Sequence, residues 1–220
     1  MKADDFLKGP NWGNIGKARK ALILLHGYGA NGDDLINLAP ILLEGQKDVA
    51  AFSPHAPQPC LGLISGRQWF ALNDISQKEL DKGAAVAQHP LEAGLKDLLV
   101  KLDIQSFALF GFSQGAMMAL QVGLRMEPTP ALLMGFSGAL PNAESLEVDM
   151  RGRADALKPP VFLVHGKQDE VVPFRAMEKA AHKLEILGID TRTHAREQLG
   201  HGIDEGGIIS ARKALERSFF

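Results

Sequence analysis

Residues 111–115 read GFSQG, and whether Ser113 is a nucleophile or a small residue in a turn decides how the whole chain is read. The pentapeptide alone carries little, since G-x-S-x-G arises by chance when glycine is common, and this chain has 23 glycines in 220 residues. Its flanks carry more. Ahead of it lies the apolar run SFALF (106–110), and behind it AMMALQVGLRM (116–126), rich in good helix formers. A sharp strand-to-helix turn forces its apex residue into a strained backbone. Glycines two residues to either side remove the side chains that would collide as strand and helix pack together. The Ser113 hydroxyl is thereby lifted above the carboxyl ends of the strands, where the positive pole of the following helix favours negative charge. A second near-match, GFSGA at 135–139, runs into Pro141 with no helix directly behind it, so Ser137 is not read as a nucleophile.

Outward from this turn, short apolar runs alternate with longer helical stretches. ALILLH (21–26), VAAFSP (49–54), SFALFGF (106–112), ALLMGFS (131–137), PVFLVHG (160–166) and DTRTHA (190–195) read as strands. Most are apolar throughout, as buried parallel strands are. Leu91, Leu95, Leu98, Leu99 and Leu102 share one helical face, and so do Ala176, Met177, Ala180, Ala181, Leu184 and Leu187, with Gly188 placed to end that helix. This alternation predicts an α/β fold, a mostly parallel sheet with helices on both faces. Residues 55–89 and 141–159 are less regular, the first proline-rich and the second an exposed excursion.

A serine hydroxyl needs a base, and the base needs an orienting group. In a strand–turn–helix arrangement of this kind the partners follow the serine in the order acid, then histidine. PPVFLVHGKQDEVVPF is a strand followed by a loop holding Asp169, and REQLGHGIDEGG puts His201 in a glycine-flanked loop before the last helix, IISARKALERSF. Glu170 reads as a solvated loop charge, His165 as a hydrogen-bonded structural histidine, His182 as solvent-facing and His194 as part of an edge-proximal strand. Asp204 reads as the cap of the final helix. An oxyanion formed on attack needs two donors. The backbone N–H of Gln114 is one, and the Tyr28 N–H in the loop LLHGYGANGDD (24–34) is the other; Asp33 or Asp34 then begins a helix bearing Leu35, Leu38, Ala39, Leu42 and Leu43.

Composition bounds the rest. The length, 220 residues, suits one domain, 1–220, with residues 1–19 as an N-terminal extension packing on or near it. Net charge is −2 with no basic run longer than KARK at 17–20, which argues against a nucleic-acid partner. Cys60 is the single cysteine, so no intrachain disulfide forms and a reducing compartment is expected. No apolar stretch matches a signal peptide or a membrane span. A soluble, cytoplasmic protein without a stable membrane anchor is the expectation.

LLHGYGANGDD, QWF (68–70), GFSQGAMMAL, HGKQDEVVP and GHG (200–202) together resemble the phospholipase/carboxylesterase family of α/β-hydrolases, which includes acyl-protein thioesterases and small bacterial carboxylesterases. The motifs occur in the family's order and span nearly all of the chain from about Lys20. The resemblance implies Ser113, Asp169 and His201 as a triad, with Tyr28 and Gln114 as oxyanion donors. It implies an α/β-hydrolase fold without a large cap domain, and hydrolysis of short to medium acyl esters or thioesters, lipid-like ones included. It implies no cofactor, no metal and often homodimers. It also places Leu63, Ile64, Trp69 and Phe70 near an acyl site; ordinary core for Trp69 and Phe70, and a dimer contact for Leu63 and Ile64, are the alternatives. Acyl-protein thioesterases of animal cells carry a lipidated cysteine near the N-terminus, whereas Cys60 lies well inside this chain.

Overall fold

The computed structural model describes residues 1–74, 76–151 and 157–220. Helix α1 (Ala3–Lys8) and strand β1 (Asn11–Trp12) precede β2 (Lys20–Leu25), the short helices α2 (Asp33–Ile36) and α3 (Ala39–Leu42), and β3 (Val49–Phe52). A small ladder, β4 (Gln58–Pro59) with β5 (Arg67–Gln68), leads into the long helix α4 (Gln77–Lys101). There follow β6 (Ser106–Phe112), α5 (Gln114–Gly123), β7 (Leu132–Phe136), α6 (Ala143–Arg151), β8 (Val161–Gly166), α7 (Arg175–Ile186), β9 (Thr191–Arg196) and α8 (Glu205–Ser218).

The main sheet runs β1-β3-β2-β6-β7-β8-β9. Only β1 is antiparallel to its neighbour; every other pairing is parallel. Alternation along β2 shows why both faces are covered. Ala21, Ile23 and Leu25 enter the core shared with α4, α5 and α7, while Leu22 and Leu24 enter the opposite core with α3 and α8. This is the α/β-hydrolase architecture, and all six runs read as strands fall within two residues of an observed one. The chain leaves β2 towards β3 on one side and returns to β6 on the other, so strand order reverses between β2 and β6. Open α/β sheets place ligands outside the carboxyl ends of their strands at such a reversal.

Three features depart from the sequence reading. Helix α4 begins at Gln77, well before the leucine stripe, and passes through Pro90. Proline removes one i→i−4 hydrogen bond, but Leu80 and Ala84 before it and Leu91 and Leu95 after it are buried on the same core, which holds the helix through the break. The helix expected from Asp33 through Leu43 is two short ones, α2 and α3. The two-residue strands β1, β4 and β5 are too short to show a period. Residues 1–12 pack against the fold: the Ala3 N–H donates to Asp97 Oδ2 at 2.7 Å, Phe6 is buried, and β1 extends the sheet. The excursion expected over 141–159 is not wholly exposed, since Ala143–Arg151 form α6 and Leu146 is buried in the core. Residues 152–156 lie outside the described residues, as does residue 75 within the stretch 55–89. Among the described residues no helix is long and apolar enough to cross a membrane.

Candidate active site

Ser113, between the end of β6 and the start of α5, has φ 53° and ψ −118°, a left-handed backbone that a non-glycine residue holds only when its surroundings enforce it. Here they do. The Ser113 N–H donates to Phe136 O at 2.8 Å, and its carbonyl accepts from Ala116 N at 3.0 Å and Met117 N at 3.1 Å. A Cβ on Gly111 would collide with the backbone carbonyl of Gly115, and one on Gly115 with the carbonyl of Leu25. Both outer positions of GFSQG therefore require glycine for a steric reason. Ser137 also has a positive φ, 49°, but it is buried, heads no helix, and among the described residues its Oγ has no hydrogen-bond partner.

His201 lies in the loop between β9 and α8. Its Nε2 is 3.0 Å from Ser113 Oγ, and its Nδ1 is 2.8 Å from Asp169 Oδ2. With a carboxylate at Nδ1, that nitrogen carries the proton and Nε2 is left as the acceptor facing the serine. Asp169, in the loop after β8, is buried and held from four directions. Its Oδ1 accepts from Val171 N at 2.9 Å and Val172 N at 2.8 Å. Its Oδ2 faces His165 Nε2 at 3.2 Å in addition to His201. His165 Nε2–H also donates to Val172 O at 2.8 Å, and burial lowers the imidazole pKa, so this ring is neutral. Glu170 and His182 are exposed and His194 is half-buried. Asp204 caps α8, accepting from Gly207 N at 2.8 Å.

Tyr28 and Gln114 line the same groove as Ser113. Among the described residues neither N–H has a backbone acceptor, although Gly29 N and Ala30 N beside Tyr28 are both engaged. For Gln114 this follows from its place as the first helical residue of α5. Upstream, His26 is fully buried: its Nδ1–H donates to Gly27 O at 2.8 Å and its Nε2 accepts from Ala56 N at 3.0 Å. Burial, the largest cause, lowers its pKa to about 4.

The groove has a volume of about 1140 Å³ and an apolar wall that includes Leu72, Leu80, Met117, Leu140, Val171 and Val172. Leu63, Ile64, Trp69 and Phe70 do not line it. Trp69 and Phe70 are core, 1% and 2% exposed, with the indole N–H drawn inward to His26 O at 2.8 Å. Leu63 and Ile64 follow a turn at Gly62 (φ 82°) that carries them outward, Leu63 being 50% exposed. The wall of the groove draws on α4 and on the VVP that follows Asp169 and Glu170, and the nearness of two valines to the acid is the sequence signal for it. Among the described residues no group of three or more His, Cys, Asp or Glu is placed to hold a metal ion.

Residues 13–218 match the family model described as Phospholipase/Carboxylesterase. The chain belongs to that family. Among similar proteins, lysophospholipase-like protein 1 of Mus musculus is 28% identical over 201 residues, 86% of this chain and 83% of the relative. Acyl-protein thioesterase 1 of Gibberella zeae is 28% identical over 195 residues, 82% of each. The crystal structure of esterase PE8 superposes with a TM-score of 0.88 at 37% identity, covering 96% of this chain and 98% of that one. As a member of the phospholipase/carboxylesterase family, the chain is a carboxylic ester hydrolase.

Proposed function

We propose that Ser113, His201 and Asp169 are the triad of a serine hydrolase that cleaves esters or thioesters of short to medium acyl chains through an acyl-enzyme. The observation that carries this is the unbroken relay from Asp169 Oδ2 through His201 to Ser113 Oγ, at 2.8 Å and 3.0 Å. His201 Nε2 takes the hydroxyl proton as Oγ bonds to the acyl carbon. The carbonyl π pair becomes an oxyanion held by the Tyr28 and Gln114 N–H groups. Collapse breaks the bond to the alkoxide or thiolate, which leaves with the proton from His201. Water, deprotonated by the same nitrogen, repeats the sequence and frees the acid. Asp169 holds the Nδ1–H tautomer and stabilises the imidazolium formed in each half.

The apolar wall supports an acyl chain as occupant of the groove, and an intact relay speaks against a silent binding module. The curated relatives favour a lysophospholipid or a protein thioester as a second substrate class. Arg175 and Lys179 on the groove lining suit the anionic part of a lysophospholipid. Cys60, buried and unpaired, accords with the reducing, cytoplasmic setting we propose. The test is labelling by an activated fluorophosphonate: the parent chain is labelled and Ser113→Ala is not. An unlabelled parent overturns the reading. A panel of p-nitrophenyl esters of increasing chain length, an acyl thioester and a lysophospholipid then ranks the substrates.

A further inference from the structure

The two oxyanion donors sit on segments far apart in sequence, Tyr28 after β2 and Gln114 after β6. A hole of this kind acts only if both N–H groups hold their aim to a fraction of an ångström. One short stretch, Arg67–Phe70, is hydrogen-bonded to both segments. On the Tyr28 side, Gly29 N donates to Arg67 O at 2.9 Å, and Arg67 N donates to Ala30 O at 2.8 Å. The Trp69 indole N–H donates to His26 O at 2.8 Å, at the root of the same loop. On the other side the Gln114 amide uses both ends on the Trp69–Phe70 pair. Its Oε1 accepts from Trp69 N at 2.9 Å, and its Nε2 donates to Phe70 O at 2.7 Å.

We propose that Arg67–Phe70 is a brace that fixes the separation of the two oxyanion donors, with Trp69 as its central positioning residue. Trp69 is the one residue of the stretch whose own atoms reach both sides, its indole N–H to His26 O and its backbone N–H to Gln114 Oε1. The acceptor that the buried indole N–H takes is the main-chain carbonyl of His26, at the root of the loop bearing Tyr28, and an acyl-contact residue lines the groove, as Trp69 does not. Gln114 joins the brace through its side chain while its backbone N–H faces the groove. Phe70 completes the wedge: a Cβ on Gly83 of α4 would collide with its ring, so the brace also backs the helix that walls the groove.

This inference rests on the hydrolase reading above, and its experiment separates the two. Trp69→Phe keeps a buried ring and removes the indole donor. For the parent and the variant, kcat and KM are measured with p-nitrophenyl butyrate. Alongside them goes the Ki of a trifluoromethyl ketone of matched length. That ketone adds to Ser113: the Oγ–C bond forms, the carbonyl π pair becomes an oxyanion, and the hydroxyl proton passes to His201 Nε2. Brace loss lowers kcat and ketone affinity together, by about 10- to 100-fold, less than the roughly 100- to 1,000-fold of outright loss of an oxyanion donor because the donor is misaimed and not removed, while KM stays near the parent value. A purely structural role lowers the unfolding midpoint and leaves ketone affinity relative to KM unchanged, which overturns the proposal. If Trp69→Phe does not fold, Gln114→Met, which retains the residue 114 N–H and loses both side-chain bonds, is read by the same ratio. A parent chain that neither takes fluorophosphonate nor binds the ketone removes the hydrolase reading, and the brace with it.

Discussion

At Gly115 an added methyl group would meet the Leu25 carbonyl, and at Gly111 the carbonyl of Gly115 itself, so the nucleophile turn tolerates no Cβ at either end. We expect Gly115→Ala to destabilise the fold by about 1–3 kcal/mol, the usual cost of overpacking a filled interior. Fluorophosphonate should also label it more slowly, because relief of the clash must shift Ser113. Urea denaturation and labelling rates check this; an unchanged midpoint would mean that β2 and α5 separate freely. These glycines were legible in the sequence because G-x-S-x-G between a strand and a helix has one steric explanation. The Gln114 amide was not. Its neighbours in sequence predict its backbone role, but nothing near it in the chain announces bonds to Trp69 and Phe70.

The loop bearing His201 is anchored by the elements it joins. Arg196, the last residue of β9, donates its Nε–H to Asp204 Oδ2 at 2.8 Å, and Asp204 caps α8 through Gly207 N at 2.8 Å. One carboxylate thus closes the loop on both sides. Asp204→Ala should cost about 1–2 kcal/mol, as lost N-caps do, and should lower kcat by loosening the 3.0 Å approach of His201 to Ser113. Asp204→Asn keeps the cap acceptor and should retain most of both. Thermal melts with parallel kcat measurements decide, and full activity in Asp204→Ala would show that the loop holds its shape without this tie. The cap itself was readable from an aspartate standing before a helical period. The start of α4 was not readable: residues 77–90 fall almost wholly in the stretch read as irregular and lack the leucine stripe that begins at Leu91, and the helix is continuous through Pro90 because tertiary burial outweighs one missing hydrogen bond.

Across the whole molecule, the five inner strands β2, β3, β6, β7 and β8 were legible because parallel strands buried on both faces are apolar along their length, whereas the polar edge strand β9 was legible only from its place between two helices. The groove was not, since its lining converges from residues separated by more than half the chain. Buried imidazoles set the response of the whole fold to acid. The folded pKa of His26 is lowered from 6.5 to about 4, and burial moves His165 the same way. Above the unfolded value both states are neutral and nothing is lost. Below it the unfolded chain takes up a proton that the folded chain refuses, so stability falls from about pH 6.5 towards pH 4. For His26 alone the loss is on the order of 3 kcal/mol across that window. Denaturation midpoints measured at pH 7.5 and at pH 5 should therefore differ, and identical midpoints would contradict the neutral buried state of these rings.

Val171 and Val172 pin the Asp169 carboxylate with their N–H groups while their side chains face the groove. If the groove holds the acyl chain as proposed above, anyone reshaping this enzyme for bulkier acids would find selectivity and reactivity welded together at that turn. Leu80 and Leu140 line the same groove and, among the described residues, make no hydrogen bond to Asp169, and there redesign has room to work.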